Sequence, residues 1–210
     1  QYTTGMGKFW TDEIIEKLDL GKTQLLNDSF TPSGLVHMGS PISPTIHDAI
    51  NRQIVAKNGT SSFQFGFDDF DVVDGLPSEL MASHEQYFGV PLFKVPPPTG
   101  SKAASFADHF ITIYKDLAKL LHLSPSYYRT SELYTSGEFD TYIRLALDHA
   151  AEIRTIYKNV SGSDKGGDWY PFQVICEKCG KLGTTKVVGW DGTEVQYMCE
   201  PALVTWAKGC

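Results

Sequence analysis

Residues 23–40 read TQLLNDSFTPSGLVHMGS. The apolar pair Leu25-Leu26 predicts a short buried strand over 23–28, and Thr31-Pro32-Ser33-Gly34 predicts a turn that reverses the chain. Ser40 is expected to cap a helix over 41–57, with Ile46, Ala49, Ile50 and Ile54 on one face and Gly59 as its stop. Pro41 and Pro44 fall in the first turn, where amides have no intrahelical partner, so they need not break the helix. They do remove two donors that a ligand could have used. A strand, a turn rich in small residues and a helix start gather backbone N–H groups in the way that anion sites require. His37 can donate to a phosphate oxygen there, and Gly39 lets a nucleotide approach the backbone closely.

Outward from this stretch, 10–20 predicts a short helix capped by Thr11, with Ile14, Ile15 and Leu18 facing inward. Phe63, Phe65 and Phe67 alternate as a second strand over 62–67. Strand, helix and strand imply a parallel sheet with a right-handed crossover. Ligands of such sheets sit beyond the carboxyl ends of the strands, where residues 28–34 and 68–71 both fall, so the two loops are expected to face one pocket. Further on, the proline-rich 76–99 predicts a surface excursion with a short helix over 78–87. A helix over 106–121 carries Phe106, Phe110, Ile113, Leu117 and Leu120, and a third strand is expected over 124–130. A long helix over 138–160 carries Tyr142, Leu145, Ala146, Ala150, Ile153 and Tyr157 as a core stripe. Residues 161–168 (SGSDKGGD) read as a flexible linker, followed by short strands with a hairpin turn at Trp190-Asp191-Gly192.

The four cysteines all lie after that linker. Cys176-x-x-Cys179 projects two sulfurs from one tight turn, and Cys199 and Cys210 can complete a tetrahedral zinc site. Disulfide pairing is the other reading of the same residues; the compartment expected below favours zinc.

With 210 residues, 41% of them hydrophobic, the chain can bury a sizeable core as one large domain or as a domain plus a small module. The run 1–8 is polar without a signal-like apolar core, and a cytoplasmic location is the expectation. A net charge of −7 argues against this chain alone being a strong nucleic-acid binder, because phosphate neutralisation dominates such affinity.

The motif TPSG-x-V-H-M-G-S resembles the HIGH signature of class I aminoacyl-tRNA synthetases, in the form used by the class I lysyl enzymes. Four further segments resemble that family in order: Phe67-Asp68-Asp69-Phe70-Asp71; Gly89-Val90-Pro91-Leu92 with Val95-Pro96; Ser131 to Gly137 with Ile143 to Leu147; and Trp169-Tyr170-Pro171 leading into Cys176 and Cys179.

The resemblance implies an α/β fold, with a Rossmann-like parallel sheet of the HUP type as the first part of a catalytic domain over 1–165. An incomplete zinc-ribbon-like β module is implied over 166–210. It further implies ATP-dependent activation of lysine, with Mg2+, and transfer of the lysyl group to tRNA. His37 and Ser40 would be catalytic. Ser29, Thr31, Ser33, Gly34, His37 and Gly39 would line the ATP site, and Asp68 and Asp69 would meet the amino acid. Cys176, Cys179, Cys199 and Cys210 would hold Zn2+. Lysine, ATP and tRNA are the implied partners, the tRNA mainly through regions other than these; neither membrane nor DNA is expected.

Two departures stand out. Ser43 occupies the position where many relatives carry a glutamate facing the lysine side chain, so Asp69 or Asp48 would have to read the ammonium group, or selectivity changes. Second, no KMSKS-like loop is found in these residues, so the chain alone is expected not to aminoacylate tRNA. A non-catalytic paralogue used for docking, and an adenylate-forming enzyme for another substrate, are the alternative readings. Near Val95-Pro96, where some relatives bind a second metal, only His109 remains and no metal is expected.

Overall fold

The structure is a computed structural model that describes residues 8–210, so the polar stretch 1–7 lies outside the described residues. Its elements run α1 (Trp10–Ile15), β1 (Gln24–Phe30), α2 (Ile42–Ala56), β2 (Ser61–Phe67), α3 (Ser78–His84), α4 (Phe106–Leu120), β3 (Ser126–Arg129), α5 (Thr130–Thr135), α6 (Asp140–Asp148), α7 (Ala150–Ser161), β4 (Thr185–Trp190) and β5 (Val195–Cys199). The chain divides into two compact units. One holds residues 8–31, Leu35–Asp68 and Phe110–Arg129; the other holds Pro32–Gly34, Asp69–His109 and Thr130–Cys210.

The first unit contains a three-stranded parallel sheet in the order β1-β2-β3, with Asp28 opposite Phe65 and Phe65 opposite Tyr127. The fold is therefore α/β, as the β-α-β pattern implied. Alternation decides which face is covered. Phe63, Phe65 and Phe67 are buried, and Tyr114 of α4 stacks on Phe65 and on Phe30, with ring centroids 4.7 and 4.9 Å apart. A second apolar cluster joins Ile15 of α1 to Ile50 and Ile54 of α2, with Ile14, Leu18, Leu20 and Leu26 against it. On the opposite face, Tyr128 reaches across β2 so that its hydroxyl donates to Asn27 on β1 (3.1 Å). Gly66 makes room for it, since a Cβ there would lie 2.5 Å from the ring.

Several expectations are corrected. Thr11 is buried inside α1 and does not cap it; Phe9 stands at the cap and the α-helix ends at Ile15. Ser40 does not cap α2, because Pro41 occupies that position and the Ser40 hydroxyl turns back to accept the His37 amide. The buried stripe of α4 keeps the expected Phe106 and Phe110 but continues through Ala107, Ile111, Tyr114 and Ala118, while Leu120 is exposed. Tyr114 shifts the phase, an amphipathic residue used here for its ring.

The second unit departs further. The helix expected over 138–160 is two helices, with His149 between them at φ −105°, ψ 24°. Its assumed core stripe loses phase at that break: Tyr142 is 68% and Leu145 57% exposed, whereas Leu147 and Ala150 are buried. Nearby, Trp190 donates its indole N–H to Asp148 (2.6 Å), tying the end of α6 to the β4–β5 hairpin. The turn of that hairpin falls at Asp191, whose carboxylate accepts the amides of Thr193 and Glu194, as the Trp-Asp-Gly signal implied. Among the described residues no helix is long and apolar enough to cross a membrane.

Candidate nucleotide site and cysteine cluster

The loop after β1 carries the residues expected to meet ATP. His37 is exposed, and its Nδ1 accepts the Gly39 amide at 3.0 Å while its own amide donates to Ser40 Oγ at 3.1 Å. Ser40 N–H closes the turn onto the His37 carbonyl (2.9 Å). With Nδ1 engaged as acceptor, the neutral ring carries its proton on Nε2 and keeps one donor for an anion. Gly39 has a steric reason to be glycine: a Cβ would lie 2.8 Å from His37 Cε1 and push the ring away.

Ser29 is exposed, and Thr31, Ser33, Gly34 and Ser40 are half-buried. The Asp68 amide donates to the Phe30 carbonyl (3.0 Å), so the loops after β1 and β2 leave the sheet side by side.

The two aspartates differ. Asp68 is half-buried, whereas Asp69 is fully buried and accepts the Ser131 amide (2.8 Å) and the Ser131 hydroxyl (2.6 Å). Asp48 is buried beside the Arg52 guanidinium. Sequence reasoning passed over Asp28, whose charge interrupts an apolar strand. Its Oδ2 lies 3.5 Å from His47 Nδ1, and among the described residues that oxygen and the Tyr114 hydroxyl are buried without a hydrogen-bond partner. Burial first, then the Asp28 charge, holds the Tyr114 phenol well above its usual range. His47 also stacks on Phe63 and approaches the Ser43 carbonyl (2.8 Å). His84 is buried between Ser83 Oγ and the Pro96 carbonyl, and His109 sits 3.0 Å from Ser101 Oγ.

In the second unit, the sulfurs of Cys176, Cys179, Cys199 and Cys210 all lie within 4.8 Å of one another. The pairs Cys176–Cys210 and Cys179–Cys199 are each 3.7 Å apart. A disulfide needs about 2.05 Å, and all four thiols are free. Sulfurs at about 2.3 Å from a tetrahedral ion are separated by about 3.8 Å, close to the 3.7 Å of these two pairs. Burial raises the Cys176 thiol, but the amides of Cys179 and Lys178 and the neighbouring thiols outweigh it and bring it down to about 6. Its neighbour Cys210 is pushed up to about 12 by Cys176 and Cys199.

The family described as tRNA synthetases class I (K) matches residues 8–205. A protein named lysine--tRNA ligase from Methanosarcina barkeri is 32% identical over 193 residues, covering 90% of this chain and 36% of that protein. Its namesake from Methanocaldococcus jannaschii is 33% identical over 196 residues, covering 91% and 37%, and that from Archaeoglobus fulgidus is 29% identical over 192, covering 91% and 39%. The chain thus spans rather more than a third of the length of the curated relatives it matches. With the match running through the signature loop, the parallel sheet and three of the four cysteines, the chain belongs to the class I (K) tRNA synthetases.

Proposed function

We propose that this chain supplies the signature-bearing part of a lysine–tRNA ligase, which activates lysine with ATP and passes the lysyl group to tRNA. The observation that carries the reading is the exposed His37 imidazole, set by the Gly39 amide at the carboxyl end of a parallel sheet. In this reading His37 donates from Nε2 to an ATP phosphate oxygen, and Ser40 fixes the turn through the His37 amide. Gly39 lies under the adenine, while Ser29, Thr31, Ser33 and Gly34 line the pocket. Lysine carboxylate attack on the α-phosphate needs placement and charge stabilisation, not a protein nucleophile. Mg2+ would share the phosphate charge. Asp68 is the carboxylate proposed to meet the substrate ammonium group, and Asp69 supports that loop through Ser131. The cysteine cluster is proposed to hold a structural Zn2+, which cross-links the β4–β5 hairpin to the Cys176–Cys179 turn in a ribbon-like module over 166–210. Residues 1–165 are proposed as the first part of the catalytic domain.

Calorimetric titration of the chain with ATP tests the reading. His37→Ala is expected to weaken ATP binding about ten- to a hundred-fold, the worth of a hydrogen bond to a charged partner. Gly39→Ala is expected to weaken it in the same direction by displacing the imidazole. Equal ATP affinity in the wild type and both variants would rule out a phosphate contact by His37. A chain that binds neither ATP nor lysine would favour a docking module instead.

A further inference from the structure

The two side-chain oxygens that are buried without a hydrogen-bond partner among the described residues, Asp28 Oδ2 and the Tyr114 hydroxyl, both belong to the first unit. Such atoms are rare in folded chains, because desolvating them is repaid by no new bond. The two share one neighbourhood: after burial, the Asp28 charge is the next cause that holds the Tyr114 phenol above its usual range. The carboxylate is oriented without being matched. Its Oδ1 accepts the Ser29 amide at 2.8 Å. His47 Nδ1 stands 3.5 Å from Oδ2 but only 2.8 Å from the Ser43 carbonyl, which can only accept, so the Nδ1 hydrogen goes to that carbonyl. Tyr114 is 2% exposed and is pinned between the rings of Phe30 and Phe65, so its hydroxyl cannot turn out to water. Asp28 keeps 18% of its side-chain surface exposed and stands two positions before the end of β1, where the signature loop departs.

Lysine carries two ammonium groups, and the role assigned above to Asp68 serves one of them. The other acids that sequence reasoning offered are engaged, Asp48 by Arg52 and Asp69 by Ser131. We infer that Asp28, with the Tyr114 hydroxyl beside it, receives the side-chain ammonium group of the substrate and so sets selectivity for a cationic amino acid. An ammonium group has three hydrogens to give, enough for both orphaned oxygens at once, and its charge cancels the one left buried on β1. The rings of Phe30 and Tyr114 offer an apolar wall to the methylene stem that carries it. The inference rests on the reading of the chain as part of a lysine–tRNA ligase and names a specificity-determining residue for it. Ser43, which brings no charge of its own, then leaves the site with its acid on the strand and not on the helix.

Calorimetric titration of the chain with lysine and with norleucine, which has the same four-carbon stem without the ammonium group, tests it. Lysine is expected to bind about ten- to a hundred-fold more tightly, and Asp28→Asn to bring that ratio close to one. Tyr114→Phe, which keeps the ring and removes only the hydroxyl, should lower the ratio by a smaller factor, about two- to tenfold. Asp28→Asn should also leave the melting temperature of the free chain unchanged or raise it, because an unmatched buried charge is removed; a carboxylate with a purely structural role would lower it. Equal affinity for the two amino acids in the wild type overturns the inference, as does binding of neither. A lysine preference that survives both Asp28→Asn and Tyr114→Phe also overturns it and leaves the two oxygens to a buried water. ATP titration of the same sample separates the two readings: ATP binding without a lysine preference sinks only this one, and an Asp28-dependent lysine preference without ATP binding sinks only the ligase.

Discussion

Cys176→Ser empties the cysteine cluster and melts the β4–β5 hairpin. The wild-type chain is expected to carry about one zinc per molecule and the variant almost none, because structural zinc contributes an apparent 10–16 kcal/mol at neutral pH through its full ligand set, ~ values typical of small zinc modules. Besides the cluster, the hairpin is held by polar ties such as Trp190 to Asp148 and Gln173 to the Thr185 carbonyl. A two-stranded sheet is marginal in water by itself, and among the described residues the two strands bury one aliphatic side chain, Val187. Metal analysis together with hydrogen exchange at the Thr185 and Val187 amides reads both effects. Chelation of the wild type should expose four titratable thiols. Two thiols, or a hairpin that stays protected in the variant, would argue for disulfides and against the metal.

Phe65→Ala is expected to cost about 3–5 kcal/mol, the usual result of emptying a buried phenylalanine site. Phe65 is 1% exposed and touches three aromatic neighbours, Phe67, Tyr114 and Tyr127, so its loss opens a void between β2 and α4 that rigid rings fill poorly. Against a total stability of about 5–15 kcal/mol, that is a large fraction. Leu25→Ala supplies the contrast: Leu25 is 66% exposed, and its change should stay within about 0.5 kcal/mol. Urea denaturation of the two variants distinguishes them, and similar midpoints would mean that the sheet face carrying Phe65 is not the stabilising one.

What could be read from the residues followed from periodicity. The alternation of Phe63, Phe65 and Phe67 gave β2 and its buried face, and the apolar spacing after Pro41 gave α2 within a residue at each end. Reading failed where a polar side chain serves a distant partner. Ser40 looks like a cap, but its hydroxyl is taken by His37; the burial of Asp69 under Ser131, 62 positions away, has no local signal either. The break at His149 has no proline or glycine to announce it. Tyr114 falls one position from Ile113, which the expected stripe used in its place, and Asp28 was passed over because a strand was read for its leucines. The cysteine cluster was legible as a set, since thiols gathered in one short stretch leave few partners. Its wide spacing between Cys199 and Cys210 is closed by backbone, with the Cys210 amide donating to Cys199 Sγ at 3.4 Å.

The ring that lies across β2 ties two positions of the sheet together as the chain evolves. A side chain entering position 66 would meet that ring at 2.5 Å, so the tyrosine must swing aside or be replaced, and either change leaves Asn27 unlatched.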